Sequence, residues 1–212
     1  MTEAINQFQQ SLEAHATAFE VQLDVRMISS LSNYFAILHD WNPRLHLVAP
    51  CSPEEFATRH VLESLLAIKY IPYGARVADI GSGGGLPIIP CLIARPDIRA
   101  TLLEASPKKA VFLREALRIT NLSERAEVNA ERFEKFALTN VGVVTCRALD
   151  RFRTLFSKIY KCAPPGSVLI LFAGTSLRTE IEQEGLAYTT LRIPESDQRF
   201  VFIIKSSQNR LI

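Results

Sequence analysis

Residues 77–87 read VADIGSGGGLP, a short apolar run that ends on Asp79 and passes into a turn dense in glycine. Asp79, Gly81, Gly83 and Gly85 fit an acidic-x-Gly-x-Gly-x-Gly pattern. Glycine supplies backbone angles and a closeness of approach that a Cβ forbids, so a ligand is meant to lie against this backbone. A dinucleotide fingerprint, Gly-x-Gly-x-x-Gly, would need its third glycine at position 86, where Leu86 stands. The spacing therefore favours S-adenosyl-L-methionine over NAD, with Asp79, Gly81, Ser82, Gly83, Gly85 and Leu86 as the residues nearest the cofactor.

Outward from this loop, the apolar stretch Ala100-Thr101-Leu102-Leu103 ends in Glu104, followed by Ala105. That is where the second strand of a βαβ unit places a carboxylate on ribose hydroxyls. Glu131, Arg132 and Phe133 follow a third strand candidate, where a loop encloses the cofactor's adenine. A blander reading makes GSGGG a flexible turn, Glu104 a solvated strand end, and Arg132 with Glu134 a charge pair at a helix start.

At 212 residues, with 48% hydrophobic and 22% charged residues, the chain suffices for one soluble α/β domain and a modest appendage. A net charge of +2 permits a nucleic-acid partner without demanding one. Cys51, Cys91, Cys146 and Cys162 form no Cys-x-x-Cys pair and have no histidines at zinc spacing, so neither a disulfide framework nor a metal site is expected. No apolar run approaches the roughly 20 residues of a membrane span, and no targeting signal is read at the N-terminus. A cytoplasmic protein is expected.

The first third has helical periodicity: Ile5, Phe8, Leu12 and Phe19, then Val25, Ile28, Leu31, Phe35 and Leu38. A turn is expected around Trp41-Asn42-Pro43, and Ser52-Pro53-Glu54-Glu55 predicts a third helix from Pro53 to about Lys69. From Arg76 the rhythm becomes strand then helix, with strands expected near 76–80, 100–104, 126–130, 141–146, 167–172, 188–193 and 200–205. Such alternation implies a mostly parallel sheet covered on both faces. The short link at Pro194-Glu195-Ser196-Asp197 makes the last two strands a hairpin, so one of them runs antiparallel. Seven strands ending this way predict a class I, Rossmann-like S-adenosylmethionine-dependent methyltransferase fold (71–212) carrying an N-terminal helical cap (1–70).

Tyr34 with Trp41-Asn42, Arg59-His60 with Ser64, Asp79 to Pro90, Leu103-Glu104, Lys108-Lys109 with Phe112-Leu113, Arg132-x-Glu134, Arg147-Ala148 and Arg199 form a set of stretches along most of the chain. Together they resemble the small-subunit ribosomal RNA methyltransferase G family, also called glucose-inhibited division protein B. The chain departs from the family pattern at Ile88 (usually Gly), Glu63 (Asp), His46 (Asn) and Ala173 (Lys). The resemblance implies formation of 7-methylguanine in 16S rRNA, and 16S rRNA or the small ribosomal subunit as partner. A monomer with no membrane attachment is expected. A small-molecule methyltransferase and a non-catalytic cofactor-binding RNA protein are the alternatives.

Methyl transfer from a sulfonium needs a nucleophile held in line, about 3 Å from the methyl carbon. Nitrogen 7 of guanine has a free lone pair and no proton, so no general base is required. The Asn/Asp-Pro-Pro-aromatic motif of exocyclic-amine enzymes is absent after the fourth strand, which ends Thr145-Cys146-Arg147-Ala148. Cys146 reads as a buried strand cysteine rather than a nucleophile. Arg147, at the ligand edge of a strand, is the catalytic candidate, holding guanine's carbonyl oxygen or a phosphate. The opposing reading pairs it with Asp150 or Glu134. Arg147, Arg151, Arg199 and His60 are the substrate-binding candidates, and Arg153, Lys158 and Lys161 either touch RNA or line a solvated helix face. Tyr34 and Trp41 are read as packing residues in preference to base-stacking ones.

Overall fold

The computed structural model describes residues 1–147, 152–194 and 196–206, with the backbone alone at 152 and 153. From Arg76 onward the chain folds into a single seven-stranded sheet. Its strands are β1 (Arg76–Ile80), β2 (Arg99–Leu103), β3 (Ala126–Asn129), β4 (Val143–Cys146), β5 (Val168–Gly174), β6 (Tyr188–Arg192) and β7 (Arg199–Lys205). They lie in the order β3-β2-β1-β4-β5-β7-β6, the first five parallel and β7 antiparallel to both neighbours. The order reverses between β1 and β4, and open sheets take ligands at the strand ends beside such a reversal. Because β7 runs backwards, its first residue, Arg199, pairs with Gly174 at the end of β5 and so lies at that same edge.

Side chains alternate between the faces, as a strand period of two dictates. Val77, Leu102, Val143, Ile170 and Val201 join one apolar cluster, and Ala78, Leu103, Val144, Leu171 and Phe202 the other. The first face is covered by α5 (Ile88–Ala94), α6 (Pro107–Ile119) and the N-terminal helices. The second is covered by α7 (Phe152–Cys162), through Phe156 and Ile159, and α8 (Ser176–Gln183), through Leu177 and Ile181.

The N-terminal helices are α1 (Thr2–His15), α2 (Val25–Leu45) and a composite helix over 53–70. Asp24 caps α2, its Oδ1 accepting from the Met27 amide at 2.7 Å. The turn expected at Trp41-Asn42-Pro43 is not there: α2 runs through Pro43 and ends when His46 turns left-handed at φ 49°. Pro43 falls in the last turn, and the Asn42 side chain secures the exit by accepting from the Leu47 and Val48 amides at 2.8 and 3.0 Å. The helix expected from Pro53 opens as read, Ser52 Oγ accepting from the Glu55 amide at 3.1 Å. It comprises α3 (Pro53–Phe56), a π-helical turn at Ala57–Leu62, α4 (Glu63–Leu65) and a 3₁₀ turn at Leu66–Tyr70.

Aromatic rings join these helices to one another and to the sheet. Phe8 and Phe35 stack with centroids 4.6 Å apart, and Phe56 packs on Phe35 at 5.3 Å. Trp41 meets Phe112 at 5.8 Å and pins α2 to α6. Tyr34 is fully buried, and its hydroxyl donates to the Gly84 carbonyl at 2.6 Å. Both Tyr34 and Trp41 thus pack, as read.

Burial pushes the Tyr34 phenol well above its ordinary value, so it remains a neutral donor. Replacing it in Tyr34→Phe leaves the Gly84 carbonyl without this partner, a loss of about 1–3 kcal/mol. We expect a denaturation midpoint lowered accordingly in urea titrations, with an unchanged slope; a wild-type midpoint would show that the bond contributes nothing.

Candidate active site at the carboxyl edge of the sheet

The glycine-rich turn leaves β1 with Gly81, Gly83 and Gly85 all at positive φ, 68°, 51° and 86°. The Gly81 and Ser82 amides donate to the Leu103 carbonyl at 2.8 and 3.2 Å, so the turn is anchored on the end of β2. The glycines serve different ends. A Cβ on Gly85 would come within 2.4 Å of Ile89 in α5, so that position is set by helix packing. A Cβ on Gly83 would meet only the Gly81 carbonyl oxygen, at 3.7 Å, so this face of the turn stays open for a ligand.

Glu104 is buried rather than a solvated strand end. Its Oε2 accepts from the Gly83 amide and its Oε1 from the Ser106 amide, both at 2.8 Å. The carboxylate thus pins the turn, while each oxygen retains a lone pair for a ligand hydroxyl. Asp79 is fully buried, with Oδ1 accepting from Thr145 Oγ1 at 2.6 Å and Oδ2 without a partner among the described residues. Burial pushes its carboxyl up to about 7, Thr145 and Ser82 opposing and the Glu104 charge adding to the rise.

A cavity of about 380 Å³ lies between this turn and segment 47–51, and Lys109, Arg59, His60 and Arg147 line it. Arg147 directly follows β4 and is held by the composite helix. Nη2 bonds Glu63 Oε2 at 3.0 Å and the Arg59 carbonyl, Nη1 reaches the His60 carbonyl and Ser64 Oγ at 3.4 Å, and the guanidinium carbon lies 5.7 Å from the Phe172 ring centroid. Glu63 also pairs with Arg199, Oε1 to Nη1 at 2.5 Å. The ion-pair partner is therefore Glu63 rather than Glu134; Asp150 lies outside the described residues. Burial lowers the Arg147 guanidinium from its ordinary value, and Glu63 opposes that. Burial raises the Glu63 carboxyl, and the two arginines pull it back.

His60 packs on Phe56 at 5.2 Å, and burial followed by the Arg147 charge lowers its pKa to about 3, so the imidazole is neutral. Cys146 is buried in β4 with its thiol pushed well above the ordinary range, which bears out its reading as a strand residue. Leu86 is buried, Ala105, Glu131 and Arg132 are exposed, and Phe133 is half-buried; the last three follow β3. Of these, only Leu86 is among the cavity's lining residues. Arg151 lies outside the described residues, and Ala173 is buried in β5 opposite Phe200. A larger hollow, about 500 Å³, lies at the opposite edge, where Arg99 and Arg125 donate to main-chain carbonyls.

The sequence reading missed Thr145 as the partner of Asp79 and Tyr34 as the support of Gly84. Neither contact leaves a local pattern, the partners being 66 and 50 residues apart.

A family model described as rRNA small subunit methyltransferase G matches residues 27–209. The ribosomal RNA small subunit methyltransferase G of Sorangium cellulosum is 39% identical over 173 residues, 78% of this chain and 72% of that protein. The protein of the same name from Xanthomonas axonopodis pv. citri is 36% identical over 192 residues, 86% and 89% of the two chains. Among solved structures, an RNA methyltransferase of Salinibacter ruber, in complex with S-adenosyl-L-homocysteine, superposes with a TM-score of 0.55 at 16% identity. The match covers 76% of this chain and 95% of that one.

The buried Asp79 carboxyl carries a testable pH signature. Its folded value, about 7, stands above the ordinary 3.8, so between the two the folded state holds a proton that the unfolded state has released. Stability from this group falls as pH rises through that window and is level above it. Asp79→Asn is neutral throughout, so relative to wild type it should gain on the order of 2 kcal/mol between about pH 5.5 and pH 8. Paired urea titrations measure the difference; a gap that does not widen with pH would refute the raised value.

Proposed function

Because the chain belongs to the rRNA small subunit methyltransferase G family, we propose that it transfers methyl from S-adenosyl-L-methionine to nitrogen 7 of a guanine in 16S rRNA, acting as a monomer. One observation carries the reading: the open glycine turn shares one cavity with three cations, Arg59, Lys109 and Arg147, against a single lining carboxylate, Glu55. The residues fit the cofactor. The open face at Gly83, the free lone pairs of Glu104 and the unpartnered Asp79 oxygen suit backbone approach, ribose hydroxyls and positive charge respectively.

The cofactor supplies an electrophilic methyl on a sulfonium. As the bond to nitrogen 7 forms and the carbon–sulfur bond breaks, one positive charge passes to the purine. Guanine's lone pair needs no deprotonation, so this chain's residues only bind, orient and exclude water. Neutral His60 adds no charge against the one that develops. Arg147, its two Nη groups held by the composite helix, orients the base or an adjoining phosphate through its fixed charge, and Arg199, at the same edge, makes the neighbouring contact. Glu131, Arg132, Phe133 and Ala105 flank the adenine and Arg151 the RNA in this reading.

The decisive experiment maps modified bases in 16S rRNA from cells with and without the protein. A 7-methylguanine that disappears with the gene supports the assignment, and an unchanged map rejects it. In vitro, Gly83→Val should abolish cofactor binding by calorimetry, since a branched side chain fills the open face. Unchanged affinity in the folded variant would remove the turn from the site.

Single-turnover rates at saturating cofactor should vary little from about pH 6.5 to 9, and Cys146→Ser should keep most activity. A tenfold rise per pH unit, or an inactive folded serine variant, would assign base-assisted or covalent chemistry and another acceptor atom.

A further inference from the structure

Glu63 joins two guanidiniums from strands that are distant in sequence. Arg147 follows β4 and Arg199 opens β7, so without a carboxylate two like charges would face each other at the ligand edge. The side chains of Glu63, Arg147 and Arg199 are only 2, 6 and 19% exposed. Burying three charges is a poor route to stability, because desolvation cancels most of what the pairs return. What the arrangement does provide is orientation. Arg147 is held by the Glu63 carboxylate, two main-chain carbonyls, Ser64 Oγ and the Phe172 ring, and it lines the cavity in that pose.

Two positive charges and one negative leave a surplus of one. We propose that Glu63 is a positioning residue for methyl transfer: it fixes the Arg147 guanidinium in the cavity wall and cancels one of the two guanidinium charges it bridges, so that this pair adds one positive charge rather than two to a wall that also carries Arg59 and Lys109. This rests on the reading of the cavity as a methyltransferase centre. The chemistry favours one cation over two, because positive charge arrives on the purine as the new bond forms, and a second uncompensated guanidinium would oppose it.

Glu63→Gln keeps the volume and removes the charge. The cofactor's calorimetric dissociation constant should stay within about threefold of wild type, while the single-turnover rate on 16S rRNA or the small subunit falls at least about tenfold. Binding of 16S rRNA should hold or tighten, with a steeper salt dependence, since a masked cation is released. A packing role alone would not lower the rate while RNA binding holds or tightens. A rate within about threefold of wild type in the folded variant overturns the proposal. If the Gln variant does not fold, Glu63→Asp supplies the carboxylate that the family usually carries here. A rate within about threefold of wild type at unchanged cofactor affinity supports the proposal, and a rate down at least about tenfold in the folded variant overturns it. Wild-type protein that binds no cofactor, or methylates no 16S rRNA, fails at the control stage and removes the underlying reading and this inference together.

Discussion

The hydrogen bond from Tyr34 to the Gly84 carbonyl is the contact on which the ligand edge depends. Glycine loses more conformational freedom on ordering than any other residue, and this turn has three at positive φ, with only the Ser82 hydroxyl, donating to the Asp79 carbonyl at 3.0 Å, to hold it from within. Order has to be imposed from outside. The Leu103 carbonyl holds the turn from the sheet, Glu104 from the next loop and Tyr34 from the helical segment. The last of these is anchored by the Phe8, Phe35 and Phe56 cluster, so helical packing bears directly on the geometry of the turn.

Electrostatics at this edge follow one rule: each deeply buried ionisable group is either paired or held neutral. Glu63 is paired twice, His60 lacks a proton, and Asp79 shares its environment with a hydroxyl while its second oxygen waits for a partner. Of the cations that line the cavity, Arg59 is paired with Glu55 and Arg147 with Glu63.

What was legible in the sequence was what repeats at short range. The glycine spacing, the alternation of strands with helices and the terminal hairpin all appear within windows of a few residues, and each strand lies within two residues of where its pattern put it. Contacts between distant segments were not legible. Glu63 lies 84 residues from Arg147, so the reading turned to nearby acids, Asp150 and Glu134. The end of α2 was misplaced for a related reason: Pro43 signals a break, and only the bonds from Asn42 to the chain beyond show that the break comes later. Glu104 follows β2 directly, and its bonds to two backbone amides leave no mark in its spacing.

The π-helical turn at Ala57–Leu62 acts as a phase shifter. An α-helix advances about 100° per residue, and a wider turn absorbs roughly one extra residue without lengthening the axis in proportion. Phe56, before the turn, faces the aromatic cluster, and Glu63, after it, faces the two arginines. The inserted residue is what lets one rod serve both directions. Removing a single residue from this segment would yield a more regular helix aimed at the wrong place, so here the exact count of residues, more than their identity, belongs to the specification of the candidate site.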